Sequence, residues 1–349
     1  MSRHRHTADD LPNRPRPPRC LVTLEPLEVE GLSPAGQRDL AGGRGLFPAR
    51  LEISRADIAQ HRVDHMQRMS ISGMQDKLSL RLERGRLTPV DTDGTHILKP
   101  VPLTPFRLVD DLPANEHVTM LAARRLGIHT ASCGLIRMAD DELAYITRRF
   151  DRTATGSRIF QEDFGALALM SADANGQNWK YDFSYEGVGQ LIAKHCSAQQ
   201  RDLQEFFRRV VFCFLIGNGD AHVRNFSVLR DEVGLVQLSP AYDLVNTAVH
   251  LPTDQDLGLS LLDAERGGVF SPSYEAMGFH SRQDFLDLAA AIGVRENDAQ
   301  RILADLGSAE ATATLTDLMQ RSFLSDDARH SYRDVIEDRR SKLSRTTNS

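Results

Sequence analysis

Hydrophobic and polar residues follow two different periods along this chain, and the change of period divides it into two parts. The segment LSLRLERGRLTPV alternates apolar and polar positions on either side of a charged turn with a glycine, which predicts a β-hairpin. HILKP and LAYITRRF are short apolar segments typical of further strands. From Phe183 onward, apolar residues recur mostly at helical intervals. The pattern therefore predicts a small β-rich part followed by a larger helical part.

Helices are predicted where apolar residues return every three or four positions. LPANEHVTMLAARRLGI places Val118, Leu121, Ala122 and Leu126 on one face and ends at Gly127, a common helix stop. RDLQEFFRRVVFCFLIG predicts a core helix that leads directly into the segment GNGDAHVRNF. Its apolar stripe consists of Leu203, Phe206, Phe207, Val210, Phe214 and Leu215. Four further amphipathic helices are predicted from residue 282 to about residue 343.

The N-terminal region is less regular. Residues 1–18 mix proline, arginine and histidine without periodicity, so we predict a disordered tail there and a second tail over residues 344–349. CLVTLEPL, from Cys20, is predicted to be a strand, and the Gly- and Pro-rich stretch from Gly31 to Pro48 a surface connection. We expect an N-lobe over residues 19–150 and a helical C-lobe over residues 151–343.

Composition favours a cytosolic enzyme. With 349 residues, of which 41% are hydrophobic, the chain is long enough for a sizeable core in a two-lobed unit. A net charge of −6 is unlike the basic excess of a DNA-gripping domain, so any DNA contact is expected to be indirect, through a partner. No apolar run approaches the roughly 20 residues of a membrane span, and the N-terminal segment lacks a secretory signal, so we expect no membrane contact. Four scattered cysteines without a CxxC pair are expected to be reduced thiols.

Two neighbouring segments, GNGDAHVRNFSVL and LSPAYDL, carry the strongest chemical signal. Asp220 and Asn225 are separated by four residues, the spacing of the protein-kinase catalytic loop, where the Asp accepts the substrate hydroxyl proton and the Asn holds magnesium. Asp243 follows a hairpin-like stretch, as the second magnesium-holding aspartate does in kinases. Carboxylate and amide oxygens suit magnesium, a hard cation. Alternatively, these residues form only a helix cap and a turn.

Five segments in order resemble motifs of the HipA-like kinases, the serine/threonine kinase toxins of bacterial toxin–antitoxin modules, and most closely the short HipT kinases of three-component modules. SISGMQDKLSL resembles their phosphate-binding loop, and HILKP their ATP-binding lysine strand. ITRRFDR followed by FQED resembles the hinge, and GNGDAHVRNF and YDLV resemble the catalytic and metal loops. The resemblance covers residues 68 to about 250. It implies an α+β, two-lobed, protein-kinase-like fold with a small β-rich N-lobe and a mostly helical C-lobe.

The resemblance also implies two cofactors, ATP and Mg²⁺, and a set of site residues. Asp220 is the expected catalytic base, and Asn225 and Asp243 are the expected metal ligands. The residues implied to bind ATP are Ser72, Gly73, Met74, Gln75, Asp76, Lys77, Lys99, Arg148, Arg149, Phe150, His222, Asn225 and Asp243.

Two of these positions, and one residue outside the set, can be interpreted further. Lys99 is expected to hold the α- and β-phosphates, and its apolar neighbours argue for partial burial. Glu116, in the first turn of the predicted helix, is a candidate ion-pair partner for Lys99; alternatively, it only complements the helix dipole. His222 either contacts the nucleotide, as the resemblance implies, or caps its own turn.

The predicted phosphate loop departs from the eukaryotic kinase pattern, because it has one glycine, Gly73, where that pattern has three. The resemblance implies autophosphorylation at Ser70 or Ser72, where a phosphate would repel ATP. Alternatively, both hydroxyls cap the turn before a strand. Gly219 stands where many kinases carry the arginine that receives a phosphorylated activation loop.

Partners also follow from the resemblance. It implies a helix-turn-helix antitoxin similar to HipB. It also implies a separate small subunit similar to HipS, because only about 50 residues precede the phosphate loop where longer relatives have an additional subdomain of about a hundred. The implied substrate is an aminoacyl-tRNA synthetase, with the tryptophanyl enzyme favoured over the glutamyl one. Two other classes stay open at this point: a small-molecule kinase, and a pseudokinase that only binds.

Overall fold

A computed structural model of the chain describes residues 17–43, 45–64, 77–153, 156–252 and 255–345. Most of the two predicted tails lies outside the described residues, and so does the predicted phosphate loop up to Asp76.

A five-stranded antiparallel sheet forms the small lobe, in the spatial order β2-β1-β3-β5-β4. Its strands are β1 (Leu78–Glu83), β2 (Arg86–Pro89), β3 (His96–Lys99), β4 (Cys133–Arg137) and β5 (Leu143–Arg148). The predicted hairpin is β1 and β2, and its tight turn has left-handed backbone at Arg84 and Gly85, with φ of 51° and 77°. The strands predicted in HILKP and LAYITRRF are confirmed as β3 and β5.

Two expectations for the N-terminal region are wrong. CLVTLEPL forms a turn rather than a strand, because the thiol of Cys20 accepts the backbone N–H groups of Val22, Thr23 and Ser33. The stretch from Gly31 to Pro48 contains a helix, α1 (Pro34–Ala41), rather than only a surface connection. Ser33 caps its first turn and Pro34 starts it, both of which are ordinary start signals for a helix.

The two faces of the sheet have different neighbours, because successive side chains of a strand point to opposite sides. Leu98 and Ile146 lie in a small hydrophobic cluster that also includes Leu40 of α1 and Ile58 of α2 (Arg55–Asp64). On the opposite face, Tyr145 belongs to the large cluster that fills the rest of the molecule. Lys99 shares this second face, since it pairs with Tyr145 in the sheet register.

The helical lobe is built around α7 (Gln199–Leu215), whose predicted apolar stripe is buried along its whole length. The other long helices are α6 (Tyr185–His195), α10 (Arg282–Ala291), α11 (Glu296–Gly307), α12 (Ala309–Arg321) and α13 (Asp326–Ser344). The last four confirm the four helices predicted after residue 282. Four short helices are α4 (Phe164–Leu167), α5 (Ala172–Asn175), α8 (Asp263–Arg266) and α9 (Pro272–Met277). A second sheet, in the order β6-β7-β8, consists of Phe160–Asp163, Ser227–Arg230 and Val236–Leu238.

Helix α3 (Leu112–Arg125) connects the two lobes. Every residue from Pro113 to Ala123 is buried, because the helix lies between β4 and β5 on one side and α12 on the other. Its start is tied to the start of α13, where the N–H and hydroxyl of Ser325 each donate a 2.6 Å hydrogen bond to Asp111. The expected lobe boundary near residue 150 stays a prediction, since α3 shares the large hydrophobic cluster with the helical lobe. Among the described residues, no helix has both the length and the apolar character that crossing a membrane requires.

Candidate active site

Lys99 lies at the centre of a buried cluster of charges. It is the last residue of β3, and 5% of its side chain is exposed. Its ammonium donates a 2.6 Å hydrogen bond to Oε1 of Glu116 and another to Oδ1 of Asp243. Glu116 lies in the second turn of α3, beyond the reach of a simple helix-dipole role, and its side chain is 3% exposed. One cation therefore joins two carboxylates from distant parts of the sequence.

Burial and neighbouring charges shift the pKa of each group in this cluster. Burial raises the pKa of Glu116 to about 7; Lys99 opposes this shift, and the charge of Asp243 adds to it. Burial also acts to raise the pKa of Asp243, but Lys99 and Lys77 outweigh burial and hold it below its ordinary value. Burial acts to lower the pKa of Lys99, and the two carboxylates reverse this and raise it. At neutral pH, Lys99 is thus an ammonium and Asp243 a carboxylate.

Asp243 has an uncommon backbone conformation for a residue with a Cβ atom, with φ at 60°. Such conformations often occur at functional sites, where the surrounding structure fixes them. The second oxygen of its carboxylate, Oδ2, is 3.7 Å from Nζ of Lys77, the half-exposed lysine of the predicted phosphate loop. Lys77 and Lys99 therefore approach the same carboxylate through different oxygens.

Asp220 lies in the loop after α7, and polar side chains fasten this loop at two points. Oδ1 of Asn218 accepts the N–H of Asp220 at 3.1 Å. The hydroxyl of Thr247 accepts the N–H of Gly219 at 2.8 Å and donates to the carbonyl of Gly217 at 3.1 Å. The loop is thus fixed to the segment beyond β8, on which the predicted metal-binding aspartate lies.

Three side chains lie against one oxygen of the Asp220 carboxylate. Tyr181 donates a hydrogen bond to Oδ1, while Nζ of Lys180 is 3.9 Å and Nε2 of His222 is 4.0 Å from the same atom. Burial raises the pKa of Asp220, and Tyr181 and Lys180 partly oppose this shift. Burial and the charge of Lys180 lower the pKa of His222 to about 4, so its imidazole is neutral at neutral pH. A carboxylate with a raised pKa is suited to accept a proton.

Asn225 fits the role of a magnesium ligand. Its side chain is buried, and Oδ1 has no hydrogen-bond partner within the described part of the chain. A buried amide oxygen without a partner is costly, which indicates that it has a ligand when the site is in use. Asp243 offers a second hard oxygen donor. In residues 17–345, apart from the gaps stated above, no group of three or more His, Cys, Asp or Glu side chains is arranged to hold a metal. Asn225 and Asp243 stay the predicted metal ligands.

The structure does not bring all the predicted ATP-binding residues together. The Arg148 side chain lies on the outer face of the sheet, opposite Lys99, with its guanidinium against Gly42 next to α1. Arg149 is held by a forked ion pair with Asp151. The ring of Phe150 is 5.4 Å from that of Tyr242, the neighbour of the predicted metal-binding aspartate. The predicted residues Ser70, Ser72, Gly73, Met74, Gln75 and Asp76 lie outside the described residues.

Sequence reasoning missed Asn115, which is completely buried in α3. Its side-chain amide donates to the carbonyl of Asn246 at 2.9 Å, and its side-chain oxygen accepts the N–H of the same residue at 3.0 Å. The amide nitrogen is also 2.9 Å from Nε2 of His250, and Thr119 donates to the oxygen at 3.2 Å. The one sequence signal for this role was a polar residue on the apolar side of a predicted helix.

Residues 69–313 match the family of the HipA-like C-terminal domain. The chain belongs to this family. It is 31% identical over 297 residues to a Haemophilus influenzae protein named "Putative kinase", a match that covers 80% of this chain and 84% of that relative. It is 25% identical over 223 residues to the "Serine/threonine-protein kinase toxin HipA" of Shewanella oneidensis, covering 57% of this chain and 48% of HipA. The chain thus matches about half the length of that toxin.

One solved structure has a fold similar to that of this chain. A chain in the Shewanella oneidensis complex of HipA, HipB and operator DNA superposes with a TM-score of 0.64 at 21% identity, covering 86% of this chain and 74% of that one. The predicted fold class, α+β with a β-rich small lobe and a mostly helical large lobe of the kinase type, is therefore confirmed.

Proposed function

We propose that this member of the HipA-like family is a serine/threonine protein kinase that uses ATP and Mg²⁺ and acts as the toxin of a bacterial toxin–antitoxin module. The observation that carries the proposal is the buried cluster in which Lys99 joins Glu116 and Asp243. Protein kinases use a lysine–glutamate pair and a metal-binding aspartate in this combination. The relatives named as kinases add support.

The residues of the site suit phosphoryl transfer, which requires positioning and charge neutralisation more than covalent participation. Magnesium, when bound, supplies positive charge to the phosphate oxygens. We assign Asn225 and Asp243 as its ligands, because one has a buried oxygen without a partner and the other is kept ionised by Lys99. Glu116 holds Lys99 in place, so that its ammonium can bind phosphate oxygens. Asp220 accepts the proton of the acceptor hydroxyl.

The toxin role rests on the similarity to the HipA toxin and on the solved complex of HipA with HipB and operator DNA. By the same similarity, we propose a HipB-like helix-turn-helix antitoxin as a partner that holds this chain on DNA. The net charge of −6 does not favour direct DNA binding by the chain itself. We further propose that the chain is of the short HipT type and works with a separate small HipS-like subunit.

We propose an aminoacyl-tRNA synthetase in the cytoplasm as the substrate, with the tryptophanyl enzyme favoured. A phosphoserine dianion in the ATP-binding loop of a synthetase would repel ATP and block amino-acid activation. Translation would then lack one kind of aminoacylated tRNA, and growth would stop.

The kinase assignment is tested with γ-labelled ATP, the purified full chain, and cell lysate as a source of acceptors. We expect labelled protein bands with the wild type and a loss of roughly 10³-fold or more in Asp220→Asn, because the base is removed. Asp173→Asn, at an exposed position on α5, is the matched control and should label normally. Label in a small metabolite would instead indicate a small-molecule kinase. ATP binding without any transfer would indicate a pseudokinase.

The substrate assignment is tested by expression in bacteria. We expect growth arrest, relief of the arrest by extra copies of one synthetase gene, and phosphoserine in that synthetase by mass spectrometry. Arrest that no synthetase gene relieves, with no synthetase phosphorylated, would refute the substrate while leaving the kinase assignment intact. Co-purification with the two proposed partners tests the module, and a chain that purifies alone after co-expression contradicts it.

A further inference from the structure

Residues Trp179–Asp182, here called the WKYD segment, lie over the predicted base without belonging to any motif singled out in the sequence. The segment begins as a 3-10 turn between α5 and α6, and its Trp, Lys and Tyr side chains contact the catalytic loop. Tyr181 donates a hydrogen bond to Oδ1 of Asp220, and its ring meets that of His222 edge-on at 5.3 Å.

Side-chain contacts at both ends of the WKYD segment hold Tyr181 in its position beside the catalytic loop. The ring of Trp179 packs directly on Gly165, where an added Cβ atom would come within 2.8 Å of it. The guanidinium of Arg224 lies 5.9 Å from the centre of the same ring. Asp182 accepts a 2.8 Å hydrogen bond from Arg266 in α8.

The side chains around Asp220 approach one oxygen of its carboxylate. Tyr181, Lys180 and His222 all approach Oδ1, and the side-chain hydrogen bond that the described residues make to the Asp220 carboxylate is to this oxygen. A carboxylate held through one oxygen has a fixed orientation and keeps the other oxygen available to accept a proton.

We propose that Tyr181 and Lys180 are positioning residues for Asp220: Tyr181 fixes Oδ1 so that Oδ2 faces the acceptor hydroxyl, and Lys180 supplies the cation beside the base. This inference rests on the proposed kinase function and adds two residues to its machinery.

The catalytic loop itself does not supply such a cation. Gly219 stands where many kinases have an arginine, and the low pKa of His222, about 4, leaves its ring neutral at neutral pH. Arg224 is directed to Asp163, with 3.3 Å between Nε and Oδ2, and to the indole ring of the WKYD segment. The positive charge near Asp220 is thus contributed from outside the loop, first by Lys180 and then by Lys77 from across the site.

The principal test compares Tyr181→Phe with Tyr274→Phe, a control that removes the same hydroxyl from α9, away from the site. Using γ-labelled ATP and the full chain, we expect Tyr181→Phe to lower the transfer rate about 10- to 100-fold, because a hydrogen bond to a charged group is lost. The Kd for Mg–ATP, measured by calorimetry, should stay within about twofold of the wild type. A general structural defect would lower both quantities.

The pH dependence of the rate gives a second readout. The ionisable groups that face Asp220 are Tyr181 and Lys180 from the segment, His222 from the loop, and Lys77 and Asp243 from across the site. The hydrogen bond from Tyr181 stabilises the ionised base, so its loss should move the acidic limb of the rate profile to higher pH.

Lys180→Met should shift the same limb in the same direction, and Lys180→Arg should restore part of the rate. Lys194→Met, at an exposed position on α6, is the matched control.

The outcomes separate this inference from the proposed function. A wild-type chain that transfers no phosphate refutes the proposed function and this inference with it. An active wild type together with an unchanged rate and pH profile in Tyr181→Phe refutes the positioning role alone. A higher transfer rate in Tyr181→Phe also refutes the positioning role, since the Tyr181 hydroxyl would then be obstructing the acceptor.

Discussion

The side chain of Asn115 donates a 2.9 Å hydrogen bond to the carbonyl of Asn246 and accepts a 3.0 Å hydrogen bond from the N–H of the same residue. Asn115 directly precedes Glu116 in α3, and Asn246 follows three positions after Asp243. Neighbouring residues of one helix therefore position both the carboxylate that holds Lys99 and the backbone that carries the predicted metal ligand.

Asn115→Ala is expected to destabilise the protein and to weaken nucleotide binding. It leaves two buried backbone groups without partners, which costs about 1–3 kcal/mol in the free energy of unfolding for each unsatisfied group. Urea denaturation measures the first effect and calorimetry with Mg–ATP the second. Asn297→Ala, at an exposed position on α11, is the control, and equal behaviour of the two variants would contradict the role of Asn115.

Lys99→Met is expected to abolish ATP binding and to lower the free energy of unfolding by about 3–5 kcal/mol, because Glu116 stays buried without its counter-ion. The double variant Lys99→Met with Glu116→Gln should recover part of the stability without recovering ATP binding. Urea denaturation of both variants and of Glu116→Gln forms a double-mutant cycle. Simple additivity of the two single losses would contradict the ion pair.

Loss of the Glu116 proton should lower the free energy of unfolding as the pH rises from about 4.5 to about 7. In the folded state its pKa is raised to about 7 from its ordinary value of 4.5, so in this window the folded state binds more protons than the unfolded state. Stability then falls with rising pH. Denaturation curves across this range should show a smaller decline for Glu116→Gln than for the wild type. A parallel decline in both proteins would rule out this contribution.

Asn225→Ala is expected to raise the Mg²⁺ concentration needed for tight nucleotide binding, because it removes a buried oxygen donor. Asn225→Asp keeps an oxygen at the same place and should retain more of the metal dependence. Calorimetric titrations of ATP at several Mg²⁺ concentrations measure the effect. Identical Mg²⁺ dependence in the wild type and Asn225→Ala would show that Asn225 is not a ligand.

Ser70→Asp combined with Ser72→Asp is expected to lower ATP affinity and to relieve growth arrest. The two serines precede Lys77, which approaches Asp243 to 3.7 Å, so negative charge on this loop would act close to the phosphates. The matching Ser→Ala pair controls for loss of the hydroxyls. Unchanged nucleotide binding of the Asp variant in a calorimetric titration would contradict this regulation.

The sequence predicted those parts of the fold and site that depend on local patterns. The hairpin of β1 and β2 was predicted because alternation and a turn glycine are local signals, and so was the α7 stripe. The spacing of Asp220 and Asn225 could be recognised because both lie in one loop. By contrast, α1 was missed even though Ser33 and Pro34 marked its start, because the glycines around it favoured a loop assignment.

Interactions between distant parts of the chain could not be predicted where no recognised motif contains both partners. Asn115 and Asn246 are 131 positions apart, and Tyr181 and Asp220 are 39 apart. No periodicity or motif connects such pairs, since their proximity depends on how the helices and loops pack. The outward direction of Arg148 is a similar case, because the face of a strand residue depends on the register of the whole sheet.

The anchoring of α3 has a consequence for control of the enzyme. In many protein kinases the corresponding helix swings to make or break its ion pair with the lysine, and this movement is the on–off switch. Here a swing would break the bonds of Asp111 to Ser325 and the bond of Thr119 to Tyr332, both made to α13 or its cap. These bonds hold α3, and with it the pair of Glu116 and Lys99, in the position described above. Under the proposed toxin function, the activity of this chain in the cell would then be limited by the supply of the partner molecules that restrain it.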